Sequence, residues 1–294
     1  SKISNERDAS GRLIRSVDNH GRALSFTYDP QGKMTKVADN TPVARSISYV
    51  YDPATGDKLS ETDSKGDVTR YAYDLNHRMT KITYPNGSAR AYAHDARGRV
   101  SVECEDSNAD GICGPGEDAT SYAYFASSTV VTDARNARTV YDFIEKSGLR
   151  KVSRITDAGN KITAFTYDDN MNLIVQTDPL SRTTRYLYDK RGNVTMATDA
   201  DNKITQTVYE PSFNQPTEVY DARNNKTELV YDGKGNLVQV RDALKNPTLM
   251  SYDGKGHVTA TKDALGRVTA FGYEDGALMS VTDPLNRTTQ MRRD

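Results

Sequence analysis

The sequence has no tryptophan, only two cysteines and only four histidines in 294 residues. Apolar residues make up 36% and the mean hydropathy is −0.74, too polar for a chain that packs a thick core. No apolar run approaches the length of a membrane span. Neither sign of charge dominates: 39 Lys and Arg face 40 Asp and Glu, interspersed along the chain, for a net charge of −1. Without a basic stripe there is no footprint for nucleic acid. A nucleophile elbow, a phosphate loop and a dinucleotide fingerprint are all missing, which removes the commonest hydrolase, NTPase and oxidoreductase readings. No signal-peptide pattern opens the chain at Ser1 and it stops at Thr288–Asp294 on a repeat boundary, so the expectation is a piece of a longer protein.

What is present is a beat. Tyr-Asp occurs at 167–168, 188–189, 231–232 and 252–253, and Tyr-Glu fills the slot at 209–210 and 273–274. The Tyr-to-Tyr steps are 21, 21, 22, 21 and 21 residues. A second Asp keeps time with them at Asp178, Asp199, Asp221, Asp242, Asp263 and Asp283. A fixed period over this many units is a repeat architecture, and the 18 Tyr at fixed slots separate it from disorder.

Each unit reads strand, Tyr-Asp, turn, strand, Asp, turn. In Arg182–Asp199 the alternation of Arg182–Tyr188 resumes at Val194–Thr198 across Asp189–Asn193. Thr, Tyr and Val at period two signal strands. Gly192-Asn193, Gly235-Asn236 and Gly256-His257 offer positive-φ residues for short hairpins. Asp ahead of such a turn accepts backbone N–H groups two residues on, which explains both Asp slots structurally. Two strands and two turns fit a 21-residue unit, and no stretch has a helical period, so the expected fold is all-β with almost no helix. In the unit after Tyr188 the sizeable apolar residues are Val194, Met196, Ile204, Val208 and Tyr209, enough for one face of a sheet. That favours a single curved sheet with a Tyr-rich face over a β-sandwich. The repeat is expected from Gly11 to Asp294 as one domain, after a lead-in at 1–10. The N-terminal half is less regular: His94 replaces Tyr, Tyr124-Phe125 lacks the Asp, and a loop is expected over Phe143–Gly148.

Tyr188-Asp189-Lys190-Arg191-Gly192-Asn193-Val194-Thr195 and its copies resemble the YD-repeat family, also called Rhs (rearrangement hotspot) repeats. The resemblance covers nearly the whole chain. It implies a repetitive antiparallel β-hairpin ribbon that spirals into a curved or hollow sheet. It also brings in the cores of bacterial polymorphic toxins, toxin-complex components, wall-associated proteins and teneurins. In the toxins the shell holds a C-terminal toxic domain behind a self-cleaving aspartate segment, and no such segment is found here. The implied role is a non-catalytic extracellular scaffold, part of a cargo-enclosing shell or a cell-surface filament. Alternatives are a carbohydrate-binding adhesin, with Tyr rows stacking on sugars, and the shell fragment of a polymorphic toxin. The expected partners are therefore further copies, the rest of a parent chain, or cell-surface glycans.

One stretch interrupts the beat. Asp106, Asn108, Asp110, Gly111, Ile112 and Glu117 match the calcium-loop pattern D-x-[DN]-x-[DN]-G-x₅-E at every defined position. Alternate side chains converge on one point, the Ile112 carbonyl turns inward, and Glu117 closes the shell, with Asp118 sharing or replacing it. Hard oxygen ligands suit Ca²⁺. The insertion is expected over 103–119, with Cys113 at an unusual position, Pro115 stiffening its second half and no flanking helices. The bland reading is an acidic, solvated hairpin tip. Cys104 and Cys113 bracket the loop as a disulfide or as two free thiols, and a pair without His is poor for zinc. A disulfide beside a Ca²⁺ loop points to an oxidising exterior. The histidines, His20, His77, His94 and His257, occupy turn or repeat slots that other copies fill with Lys203, Asn246, Tyr188, Asn193 or Asn236, so they are expected to be solvated turn residues.

Overall fold

A computed structural model describes residues 3–18, 21–41, 45–274 and 276–291, so Asn19 and His20 lie outside the described residues. Among the described residues there are 27 strands and no helix. The chain divides into two compact units, Ser1–Tyr141 and Asp142–Asp294. In the first, strands pair antiparallel with their sequence neighbours, from Ile3–Arg7 on Leu13–Asp18 through Ala119–Tyr124 on Ser128–Thr132. The second repeats the scheme from Leu149–Thr156 on Ile162–Tyr167 through Ala277–Thr282 on Thr288–Gln290. Such pairing of immediate neighbours is what short turns between 5–6-residue strands permit.

The turns carry the regularity. In Asp189–Asn193 the Asp189 N–H donates to the Asn193 carbonyl (3.0 Å) and the Gly192 N–H to the Asp189 carbonyl (3.2 Å). One carboxylate oxygen of Asp189 accepts the N–H groups of Arg191 (2.8 Å) and Asn193 (3.0 Å), and the other accepts the Asn193 side-chain amide (2.8 Å). The second Asp slot is built alike: Asp178 takes Leu180 N–H, Arg182 N–H and Arg182 Nε. Of each expected positive-φ pair only the first member is left-handed: Gly192 has φ +86°, and Asn202, Asn224 and Ser181 hold the same place at about +60°. A left-handed residue after a type I turn is the three-residue hairpin geometry.

Beyond each Tyr-Asp turn the ladder slips by one residue. Tyr188 pairs with Val194 but Leu187 pairs with Met196, leaving Thr195 as a bulge. The Thr195 hydroxyl donates to the Leu187 carbonyl (3.3 Å), and Thr35 and Thr217 do the same in their copies. The Tyr itself is a latch. Its hydroxyl donates to the carbonyl of the residue 15 positions earlier: Tyr28 to Leu13, Tyr167 to Val152, Tyr188 to Leu173, Tyr231 to Pro216 and Tyr252 to Leu237, at 2.7–2.9 Å. Each latch ties one hairpin to the hairpin before it. Tyr124 still latches, to Val100 (2.8 Å), across the inserted stretch 106–118.

The sheet is thin. The apolar residues buried among those described are Ala23, Ala89, Ala91, Cys104, Val130 and Met171, most of them small. The expectation that the apolar set serves one face is corrected. The pairings place Leu187 and Met196 on one face and Tyr188 and Val194 on the other, and Ile204 and Val208 are exposed. Two further expectations change. Residues 3–7 of the lead-in form a strand of the same ladder, closed by the turn Asp8–Arg12. The loop at Phe143–Gly148 is instead strand as far as Lys146, because Ser147 (φ +52°) and Gly148 (φ +76°) make a tight two-residue hairpin.

Two outcomes follow from these bonds. Tyr188→Phe removes one latch while keeping the ring, and should lower unfolding free energy by about 1 kcal/mol in urea titration; an unchanged midpoint would deny the latch a role. The turn caps also predict an acid limit. Arg78 holds Asp74 at about 2, below its ordinary 3.8, and the His257 backbone and ring do the same for Asp253. A carboxyl depressed in the folded state adds stability above its unfolded pKa and loses it as pH falls through the folded one. Thermal midpoints by circular dichroism should hold steady down to about pH 4.5 and fall between about pH 4 and pH 2.

Candidate calcium loop and the turn caps

The insertion occupies Asp106–Asp118 rather than 103–119. Glu103, Cys104 and Glu105 belong to the strand Val100–Glu105, and Ala119 opens the next strand. Cys104, 1% exposed, is joined to Cys113 by a disulfide with its Cα atoms 5.6 Å apart. The bond ties the middle of the loop to the sheet, where the Cys113 sulfur lies 3.7 Å from the Ala91 carbonyl.

The loop is folded by its own acidic side chains. Asn108 Oδ1 accepts the Asp110 N–H (2.9 Å), and Asp110 Oδ1 accepts the Ile112 N–H (2.7 Å). The Asn108 amide donates to the other Asp110 oxygen (3.0 Å). Gly111, at φ +84°, turns the chain so that its N–H reaches Asp106 Oδ2 (2.9 Å). Glu117 spans the loop ends, accepting the Ser107 N–H and the Gly114 N–H at 2.8 Å each. Those amides, Gly114 first, hold its carboxyl below the usual range. Asp118 and Ile112 are exposed. Among the described residues no three His, Cys, Asp or Glu side chains meet at one point. The structure thus brings Asp106, Asn108, Asp110 and Glu117 into one hydrogen-bonded loop but commits most of their oxygens to amides.

A residue that the spacing did not reveal enters from the neighbouring hairpin. Lys81 Nζ stands 3.5 Å from Asp106 Oδ2 and donates to the Ala109 carbonyl. Its place two strands away, in Met79–Thr83, leaves no local mark in the sequence.

Elsewhere the groups that might do chemistry are occupied as caps. His257 Nδ1 lies 2.8 Å from Asp253 Oδ2, in the place of the Asn193 amide, with its ring stacked on Tyr273 at 4.7 Å. His77 Nδ1 lies 3.0 Å from Asp57 Oδ2. His94 ends the strand Ala89–His94 in a Tyr slot. Tyr hydroxyls that would greet a sugar are spent on backbone carbonyls in the latched copies.

Replacing both Cys104 and Cys113 by Ser should cost about 2–3 kcal/mol, the loop-closure value for a bridge of this span. Urea unfolding of the double variant against the parent measures it, and equal midpoints would mean that the bridge constrains nothing.

The comparisons with known proteins agree with this geometry. A family profile described as Teneurin YD-shell matches residues 125–292, and one described as RHS Repeat matches residues 7–44 and 51–89. Teneurin-1 of Gallus gallus is 23% identical over 174 residues, which is 59% of this chain and 6% of that protein. The crystal structure of TcdB2-TccC3 superposes with a TM-score of 0.67 at 12% identity, over 96% of this chain and 18% of that one. The Photorhabdus luminescens Tc holotoxin pore, carrying a TccC3 mutation, gives a TM-score of 0.51 at 13% identity, over 98% of this chain and 22% of that one. The chain therefore spans a small fraction of the length of each relative, and at these identities the structural likeness speaks for the fold alone. The Teneurin YD-shell match covers more than half of the sequence and the RHS Repeat match much of the rest, and the chain belongs to the YD-repeat, or Rhs-repeat, family.

Proposed function

We propose that this chain is a non-catalytic, extracellular scaffold that forms part of the wall of a cargo-enclosing shell. The observation that carries the reading is the commitment of its polar side chains. In the regular slots Asp oxygens hold turn amides and Tyr hydroxyls hold carbonyls, in a geometry that serves the ladder. Relatives named for a YD shell and for toxin assemblies support the shell over a filament.

The rim of the second unit supports assembly into something larger. Leu180, Leu244, Leu265 and Leu285, each two residues past a second-slot Asp, stand 72–82% exposed. A row of bare leucines at one edge of a ladder suits further YD repeats, in the same parent chain or in another copy. The disulfide supports an exterior location, since such bonds persist in oxidising surroundings.

Negative-stain images of the purified chain test the reading. Curved walls or closed hollow particles are expected. Long straight fibres would favour the filament, and compact solid particles would overturn both.

A further inference from the structure

Asp106 occupies the second Asp slot of its unit, and its turn starts as the others do. Ala109, three residues on, has φ +59° and donates its N–H to the Asp106 carbonyl (3.3 Å), as Ser181 does to Asp178 (2.9 Å). There the likeness stops. In the regular turn one carboxylate oxygen collects two backbone N–H groups and the other collects a side chain, as at Asp178. In Asp106 the inserted residues carry those donors away. Oδ2 keeps one amide, Gly111, with Lys81 beyond it at 3.5 Å, and Oδ1 has no partner at all. The residue is 3% exposed and its side chain is fully buried. A buried carboxylate oxygen without a donor is costly, and a bound cation would satisfy it.

The surroundings fit a divalent cation of the hard class. The loop carries four carboxylates, Asp106, Asp110, Glu117 and Asp118, against the single ammonium of Lys81, leaving three negative charges. Asp106 Oδ1 is the open donor, and Asn108, Asp110 and Glu117, with Asp118 and the Ile112 carbonyl, would join it by exchanging loop amides for the ion, while both sulfurs are consumed by the disulfide. That set suits Ca²⁺ and not zinc. The Asp106 N–H is fixed to the Ala89 carbonyl (2.8 Å), so the first ligand is held by the sheet. The disulfide fixes the second half of the loop, as flanking helices would in an EF-hand.

We propose that Asp106–Asp118 binds one Ca²⁺ anchored on Asp106 Oδ1, and that Lys81 is the built-in counter-ion of this site, which Ca²⁺ displaces from Asp106. Lys81 bridges the Asp106 carboxylate and the Ala109 carbonyl, two oxygens facing the same charge. It therefore opposes the metal, and its removal should strengthen binding.

Calorimetric titration of the oxidised chain with CaCl₂, checked by equilibrium dialysis with radioactive calcium, tests this. One Ca²⁺ per chain is expected, with Kd of about 10⁻⁴–10⁻³ M, the range of extracellular modules. Lys81→Met should tighten binding by about tenfold, because a unit charge next to the site is lost. Asp106→Asn should weaken it by at least about tenfold. Asp110→Asn, at an exposed position, makes the same test where Asp106→Asn fails to fold. No binding by the parent at about 10 mM Ca²⁺ would overturn the site. Unchanged affinity in Lys81→Met would overturn the counter-ion role. Neither result would touch the shell reading, which the images decide separately.

Discussion

A sheet wetted on both faces has no core to hold it, and its stability must come from within the ladder. The apolar residues buried here are few and mostly small, so area burial does little per unit. What replaces a core is the satisfaction of the backbone at every reversal of direction. In the regular turns, as at Asp189, the Asp takes two amides and one side-chain donor, and its carboxyl is held low because its bonds favour the charged form. The fifth residue of the turn needs only to donate, which is why Arg182, Asn193 and His257 stand in equivalent places. Charge matters less than the direction of an N–H.

The caps secure hairpins one by one, and the latches secure each hairpin to the last. A bulge at Thr195 lets the Tyr188 ring turn toward the preceding hairpin, where its hydroxyl meets Leu173. Without that tie, neighbouring hairpins would share only the ladder between their inner strands. The ribbon is thus a nearly one-dimensional solid with nearest-neighbour coupling, and changes in one unit should stay local. Tyr124 shows the tolerance of this design: thirteen residues instead of five separate its strand from the previous one, and the latch to Val100 still closes.

Much of this was legible because it is local. The 21-residue beat, the strand lengths and the Asp side chain bonding two residues on all lie within one turn or one strand. Less legible were facts set by pairing across strands. The bulge at Thr195 follows from a mismatch between strands and not from its own residue type. It also decides which face Met196 joins, so the apolar residues could not be assigned to one side by counting. Phe143–Gly148 read as a loop because Ser147 is not a common left-handed residue, yet Ser147-Gly148 closes a tight hairpin there. The strand at Ile3–Arg7 hid because Arg7 stands where a Tyr is usual, although Asp8, Gly11 and Arg12 already spell the turn. Lys81 was invisible for the same reason as the latches: its partner is 25 residues away.

The calcium-loop pattern and the repeat meet in a single residue, and that meeting explains where such an insertion can be placed. At the second Asp slot the strands on either side keep their partners: Val102–Cys104 still pairs with Ala119–Ser121, as an ordinary hairpin would. The cap carboxylate is already aimed into the turn, and at Asp106 it is buried as well. Lengthening the turn strips it of amide donors and leaves a fixed anion at the base of the loop. In the proposed cation site the scaffold would supply the rigid half from a part that the regular units use to reverse the chain.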